Sequence, residues 1–315
     1  MRLTYLLSWL SIALTLAVFS VALRAEPSIT PTQWPPQITA QMRLGKALFF
    51  DTALSEDRQS NCGTCHKFDR GGSVASARSL QHNGALSARN ASSIFNLNPD
   101  YKLGWLASID SPTAQIDKLV DGGAVMGLSW AQIVERLKAN TEYVSAFREV
   151  YQSQITAELV NRALVAYEIA LTTPAPFDRY LNGERDAISA RAQRGFSLFK
   201  RFGCIACHQG RNVGGNLIQK LGVVEDYPLL GGAVGLGRFA LTQREDDRQV
   251  FRVPSLRNVA QSAPYFHDGS IAELEQAVKL MGRHQLGTEL SDSDITAIVA
   301  FLNTLSGQPH PELMP

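Results

Sequence analysis

Apolar positions along the chain follow two patterns: one unbroken run at the start, then helical spacing through most of the remainder. From Leu3 to Leu23 there are 21 mostly apolar residues without a charge, followed by Arg24-Ala25-Glu26-Pro27. Such a run is either a secretory leader cut after Ala25 or an N-terminal membrane anchor, since about 20 apolar residues span a bilayer as a helix. Both readings carry residues 26 onward across a membrane. Further on, Ser129 and Gln132 make a capping box that predicts a helix to about Tyr151, and Leu159, Ala163, Leu164, Tyr167 and Leu171 mark the apolar face of the next. Ser270 with Glu273, and Ser291 with Asp294, predict two more helix starts. The last of these carries Ile295, Ile298, Val299, Leu302 and Leu305 as one stripe and stops at Gly307. No alternating series is long enough for a substantial sheet, so the fold class is mainly α with long irregular loops.

Beyond the leader, 290 of the 315 residues remain, which at roughly 150 residues per domain suggests two domains. Thr173-Pro174-Ala175-Pro176 breaks the chain and sets the expected boundary, with domains at 26–172 and 173–315. Hydrophobic residues at 45% and charged residues at 19% are ordinary for a packed globular protein. Thirty basic against 29 acidic side chains give +1, so no global field draws this chain to nucleic acid. The Gly-rich stretch from Gly210 to Thr242 contains Gly235-Leu-Gly237, but it follows no strand and opens no capped helix. It reads as a long irregular loop. Asn90-Ala-Ser92 matches a glycosylation acceptor, a pattern too short to inform.

The cysteines sharpen the picture. All four fall in Cys62-Gly-Thr-Cys65-His66 and Cys204-Ile-Ala-Cys207-His208. Two thiols at this spacing add to the two vinyl groups of one haem, and the adjacent His reaches the iron, so the chain carries two covalent haem c attachment sites. A zinc site, a thioredoxin-like pair or simple disulfides leave the His after each pair unexplained.

With these sites in place, the sequence resembles the bacterial dihaem cytochrome c peroxidases and their relatives that oxidise a protein in methylamine dehydrogenase maturation. The resemblance rests on Leu44-Gly-Lys-Ala-Leu-Phe-Phe-Asp51, Arg89-Asn-Ala-Ser-Ser-Ile-Phe-Asn96 and Phe177-Asp-Arg-Tyr-Leu-Asn-Gly183. It continues through Val253-Pro-Ser-Leu-Arg-Asn-Val259, Pro264-Tyr-Phe-His-Asp-Gly269 and Leu274-Glu-Gln-Ala-Val-Lys-Leu-Met281. It implies two cytochrome c-like haem domains packed at an interface in the periplasm. It further implies that hydrogen peroxide is reduced at the N-terminal haem and that electrons enter through the C-terminal one from a small donor such as a cytochrome c or cupredoxin. Dimers are common in the family, although no homodimer interface is readable here.

Carried over position by position, the resemblance implies His208/Met281 coordination of the second haem, where a soft thioether favours Fe(II). It implies that His82, sixteen residues beyond His66, is a removable distal ligand of the first haem. Asn90 with backbone groups of Ser262 and Pro264 matches a calcium site between the domains, and Trp105 the aromatic between the haems. Gln115 falls ten residues after Trp105, over the peroxide pocket. Ten further on the family has a Glu and this chain has Val125. The segment around the Trp is also altered, to Gly104-Trp-Leu-Ala-Ser108. Peroxide cleavage moves a proton between oxygens, a task for a carboxyl and not for valine, so Asp117 and Asp121 are the local substitutes to consider. Met281, where the protein-oxidising relatives have Tyr, argues against that branch. His267 is expected to be structural or to meet a haem propionate; His284 and His310 carry no signal.

Overall fold

The computed structural model describes residues 28–81, 84–97, 101–121, 125–228 and 232–315. The leader with its run at 3–23 lies outside them, and so does His82. No helix among the described residues is long and apolar enough to cross a membrane.

Helices dominate, arranged about two buried apolar clusters. Around the first lie α1 (Ala40–Phe49), α2 (Pro112–Asp121), α3 (Trp130–Lys138), α4 (Thr141–Tyr151) and α5 (Ala157–Ala170). The second gathers α6 (Pro176–Leu181), α7 (Ala190–Arg201), α8 (Leu274–Leu286) and α9 (Asp292–Asn303). Between α7 and α8 the chain is largely irregular, with β1 (Ile218–Lys220) pairing antiparallel to β2 (Val250–Arg252), Ile218 opposite Arg252.

Each cluster is centred on a close helix crossing, and a glycine sets each approach. A Cβ on Gly45 of α1 would stand 2.0 Å from the Ala163 carbonyl oxygen of α5. One on Gly195 of α7 would stand 1.8 Å from the Ala297 carbonyl oxygen of α9. Both are backbone contacts in helix interiors, where no side chain can swing away. The two halves therefore repeat one arrangement: a first helix, a C-x-x-C-H turn after it, and a last helix crossing the first.

Local cap signals hold where the capping atoms are correctly spaced. Ser129 accepts the Gln132 N–H at the start of α3, and Ser291 accepts that of Asp294 at the start of α9. The single helix expected from Ser129 to Tyr151 is instead two, because Asn140 turns its carboxamide oxygen onto the Glu142 N–H (2.9 Å) and starts α4 afresh. Ser270 does not cap α8. Its N–H donates to Asp268 Oδ1 (3.1 Å), and the helix begins only after Glu273, with no side-chain cap.

The two ends of the described chain cross over. Ile29 lies in the second cluster, while Leu313 is fully buried in the first, its carbonyl accepting from the Tyr167 hydroxyl (2.8 Å). At the junction Arg257 and Asp178 form a bidentate ion pair (2.8 and 2.9 Å), with side chains 0% and 4% exposed. Asp178 also accepts from the N–H groups of Thr32 (2.8 Å) and Ala175 (2.7 Å), and Arg257 Nε donates to the Arg211 carbonyl (2.6 Å).

Two outcomes are expected. Ala for Gly inside a helix normally stabilises, but Gly195→Ala should lower unfolding stability by about 1–3 kcal/mol or more through overpacking, measured by denaturant titration. Arg257→Met leaves Asp178 charged and unpaired and should cost about 3–5 kcal/mol, whereas Arg257→Met with Asp178→Leu should recover most of that loss in the same titration.

Candidate haem centres

The first centre follows α1. Cys62–Cys65 is a single helical turn opened by Asn61, whose N–H donates to Thr64 Oγ1 (3.0 Å) and whose amide donates to the Phe50 carbonyl (2.9 Å). The His66 N–H closes the turn on the Cys62 carbonyl (3.0 Å). His66 Nδ1 meets the Gly72 carbonyl at 3.0 Å, which fixes the tautomer that leaves Nε2 as the free lone pair. Burial holds this imidazole below its ordinary pKa, in the neutral form that binds a metal. Burial also pushes the Cys62 thiol up to about 12, with the nearby Glu168 adding to the effect, and raises Glu168 itself to about 7.

Gly203, with φ at +89°, turns the chain from α7 into the second centre at Cys204. Here Cys204, Cys207, His208 and Met281 line one cavity of about 320 Å³, whose walls are mainly aliphatic and aromatic. One face of α8 supplies a wall through Leu274, Ala277, Val278, Met281 and Gln285, the helical spacing that delivers Met281 to the cavity holding His208. The Gly-rich loop closes another side with Gln219, Leu221 and Val223. Gly214, at φ +128°, brings the backbone against His208: a Cβ there would stand 3.2 Å from Nδ1 and 2.2 Å from the Pro254 carbonyl oxygen. Burial lowers the His208 pKa to about 4, and Nδ1 closes no well-formed hydrogen bond. His267 Nε2 is likewise buried without a partner, and it lines the same cavity.

Orphaned imidazole nitrogens, paired thiols, a thioether and apolar walls in one space fit a large planar group that brings a metal and carboxylates of its own. The donor set of each C-x-x-C-H turn is that of covalent haem c, with Cys62, Cys65 and His66 holding one and Cys204, Cys207 and His208 the other. None of the four thiols is in a disulfide, so all remain available for attachment.

Trp105 reaches the second centre from the first half. It lines the second cavity and also a smaller one of about 130 Å³ between the domains. Its indole donates to the Asn90 carbonyl (2.9 Å), its own carbonyl accepts the Arg252 N–H (2.8 Å), and its ring stands edge-on to His267 at 6.3 Å. Asn90, Ser262 and Pro264 all line that smaller cavity. The Asn90 amide donates to the carbonyls of Ser76 (3.1 Å) and Ala77 (3.3 Å). Among the described residues no group of three or more His, Cys, Asp or Glu could hold a metal, so a cation here would rest on amide, carbonyl and water oxygens.

The remaining candidates stand apart from these cavities. Gln115 is half-buried on α2, and Val125 is 36% exposed; neither lines either cavity. Asp117 is committed elsewhere, its Oδ1 accepting from Trp130 Nε1 (3.0 Å) and Asn161 Nδ2 (2.7 Å). Asp121 is exposed at the end of α2. Sequence reasoning quoted Asp178 and Arg257 inside motifs without giving them work, and it set His284 aside. Their partners lie 79 and 59 residues away in the chain, beyond any local signal.

Two C-x-x-C-H turns, each following a helix and ending in a half-buried His, define a dihaem c-type cytochrome. Residues 39–186 match the di-haem cytochrome c peroxidase family and residues 192–306 the cytochrome c family. The chain is 38% identical over 292 residues to cytochrome c551 peroxidase of Pseudomonas aeruginosa, covering 90% of this chain and 84% of that one. It is 31% identical to the methylamine utilization protein MauG of Methylorubrum extorquens, over 95% and 88% of the two chains. Its fold is similar to that of a MauG-like protein associated with microbial copper homeostasis, at a TM-score of 0.78, 24% identity and 93% and 98% coverage. The chain belongs to the dihaem cytochrome c peroxidase family and is an oxidoreductase of that type, with two covalently bound haems. Replacing Cys204 and Cys207 together by Ala should give a chain whose mass in denaturing conditions falls by one haem, with the first attachment intact.

Proposed function

We propose that this protein reduces hydrogen peroxide to water in the periplasm with electrons from a small redox protein, a cytochrome c or a cupredoxin. Residues 26–172 form the peroxidatic domain and 173–315 the electron-transfer domain. The observation that carries this reading is Trp105, a residue of the first half that lines the second haem cavity and the interdomain space together, as a relay toward the first centre would. Haem iron, when bound, supplies a one-electron store and, where a position is open, a place for peroxide.

The chain's own groups divide the work. His66 keeps its Nδ1 proton on the Gly72 carbonyl and presents Nε2. Met281 and His208, which line one cavity, would hold the second haem, and a neutral thioether ligand would favour its reduced state. With haem bound, His82 would serve as the removable ligand of the first centre, released on reduction of the second, and Gln115 would orient peroxide as a neutral donor and acceptor. Two electrons and two protons then convert one hydrogen peroxide into two waters. Asn90 with the carbonyls of Ser262 and Pro264 holds calcium at the domain contact, where oxygen ligands suit that ion.

A second reading is a dihaem electron-transfer or peroxide-sensing cytochrome of weak turnover. The exposed Val125 and the engagement of Asp117 with Trp130 and Asn161 favour it, because the position of the family's Glu carries no carboxyl and the nearby Asp117 is committed elsewhere. A MauG-like oxidation of a partner protein is disfavoured by Met281. Stopped-flow mixing of peroxide with half-reduced protein, in the presence of calcium and reduced cytochrome c, separates the first two. Rapid donor oxidation supports the peroxidase, and a first haem silent to peroxide overturns it. Val125→Glu should raise peroxide turnover by about 10²-fold or more, since a placed general acid and base is typically worth 10² to 10⁴.

A further inference from the structure

Three consecutive residues at the end of α8 grip the Gly-rich loop that walls the second cavity. Arg283 Nε donates to both oxygens of Glu225 (2.8 and 2.9 Å) on the surface. His284 Nδ1 meets the Glu225 carbonyl at 3.1 Å, and the His284 carbonyl accepts the N–H groups of Val224 (3.1 Å) and Glu225 (3.2 Å). Gln285 makes the contact that lines the cavity. Its Oε1 accepts the N–H groups of Gly222 (2.5 Å) and Val223 (3.2 Å), and its Nε2 donates to the Lys220 carbonyl (3.1 Å). The side chain thereby satisfies three main-chain groups at the end of β1.

Gln285 is four residues after Met281, one turn along the same helix face, and both side chains line the cavity that holds His208. Only Leu286 separates it from the end of α8, where Gly287 at φ +62° stops the helix. Last turns of helices fray unless tied down, and a methionine ligand is demanding in this respect. Its side chain is unbranched and flexible and its thioether uncharged, so nothing but helix position brings sulfur to a metal. Useful ligation tolerates roughly half an ångström. Val223, which Gln285 holds, is itself part of the cavity wall although it is 52% exposed, so this contact also separates the site from solvent.

We infer that Gln285 is a positioning residue for the second haem: by tying Gly222, Val223 and Lys220 to the last turn of α8, it fixes the register at which Met281 ligates the iron. The inference rests on the reading of Met281 as that ligand. The surface pair Arg283–Glu225 does not share this task, because a half-exposed ion pair in water contributes little.

The test uses the full dihaem protein, with haem content confirmed at two per chain. Gln285→Leu removes all three hydrogen bonds, Gln285→Glu keeps the accepting oxygen, and Met281→Ala removes the ligand. The readouts are the long-wavelength absorption of the oxidised protein that reports iron–thioether ligation, and the midpoint potential of the second haem. Gln285→Leu should lose at least half of that absorption and lower the potential, with the first haem's spectrum unchanged, and Gln285→Glu should fall between it and the parent protein. If Gln285→Leu matches the parent while Met281→Ala loses both signals, the inference fails and the ligand assignment stands. If Met281→Ala changes neither signal, both fail. Should Gln285→Leu not take up two haems, the comparison is read on Gln285→Glu, where parent-like absorption and potential in the face of the lost Lys220 bond, with Gln285→Ala also parent-like, overturn it.

Discussion

The seating of the N-terminal segment and of the Ala175 turn on the second half depends on one buried ion pair. Removing two charges from water costs several kcal/mol each, and attraction alone does not reliably offset this, so Arg257 and Asp178 persist only because nearly every polar atom on them is satisfied. Asp178 takes the Thr32 and Ala175 N–H groups, and Arg257 reaches the carbonyls of Arg211 and Thr30. Any other placement of the N-terminal segment or the Ala175 turn would strand a charge. The pair thus acts less as a source of stability than as a device that makes one arrangement affordable and its neighbours not. A second polar group beside it extends the constraint. Asn96 and Thr173 exchange hydrogen bonds (2.7 and 2.9 Å), Thr173 Oγ1 donates to Asn258 (2.6 Å), and Asn258 donates to the Gly307 carbonyl (2.7 Å). Asn96 and Asn258 both sit at positive φ, +58° and +60°, which asparagine tolerates better than most side chains.

This junction places Trp105 against the second domain. Arg252 joins it to β2 through both backbone and side chain, donating its N–H to Trp105 and its Nε to the Gly104 carbonyl (3.2 Å), while Arg238 donates to the Leu106 carbonyl (2.6 Å). A segment of the first half is therefore held by main-chain bonds to the second, and the indole enters a cavity built by the other half. Electron transfer between two haems needs a short and fixed separation rather than a moving contact. The altered residues around Trp105 preserve that attachment because it uses carbonyls, which any side chain leaves available.

The sequence made legible what is local or chemically specific. Both attachment turns, the caps at Ser129 and Ser291, and the helix face carrying Met281 depend on spacings of three or four residues. Expectations failed where two local signals compete: Asn140 restarted a helix that apolar periodicity alone would have continued, and Ser270 bonded within its own turn. The Gly210–Thr242 stretch is largely irregular as expected, but β1 within it was not foreseen, since three residues pairing with a strand some 30 positions later leave no periodicity. Gln285 and His284 were illegible for the same reason. Their partners are main-chain groups of a distant loop, and main-chain groups have no sequence signature.

The two centres are closed in different ways, and this bears on what each can do. A regular helix face, a strand and a loop fastened at several points wall the second cavity. On the first half, Leu80 (68%) and Leu86 (52%) are exposed, and the described residues beside them are joined mainly to one another, through Gln81 to Ala85 and Ser87 to Ser79. Exposed apolar residues on a self-contained turn give little burial to oppose its displacement, at about 25 cal/mol for each Å² of apolar surface. The end of α8 is fixed in the opposite way, by a buried helix face and by the Gln285 bonds to Lys220, Gly222 and Val223, so more packing and hydrogen bonding oppose its displacement.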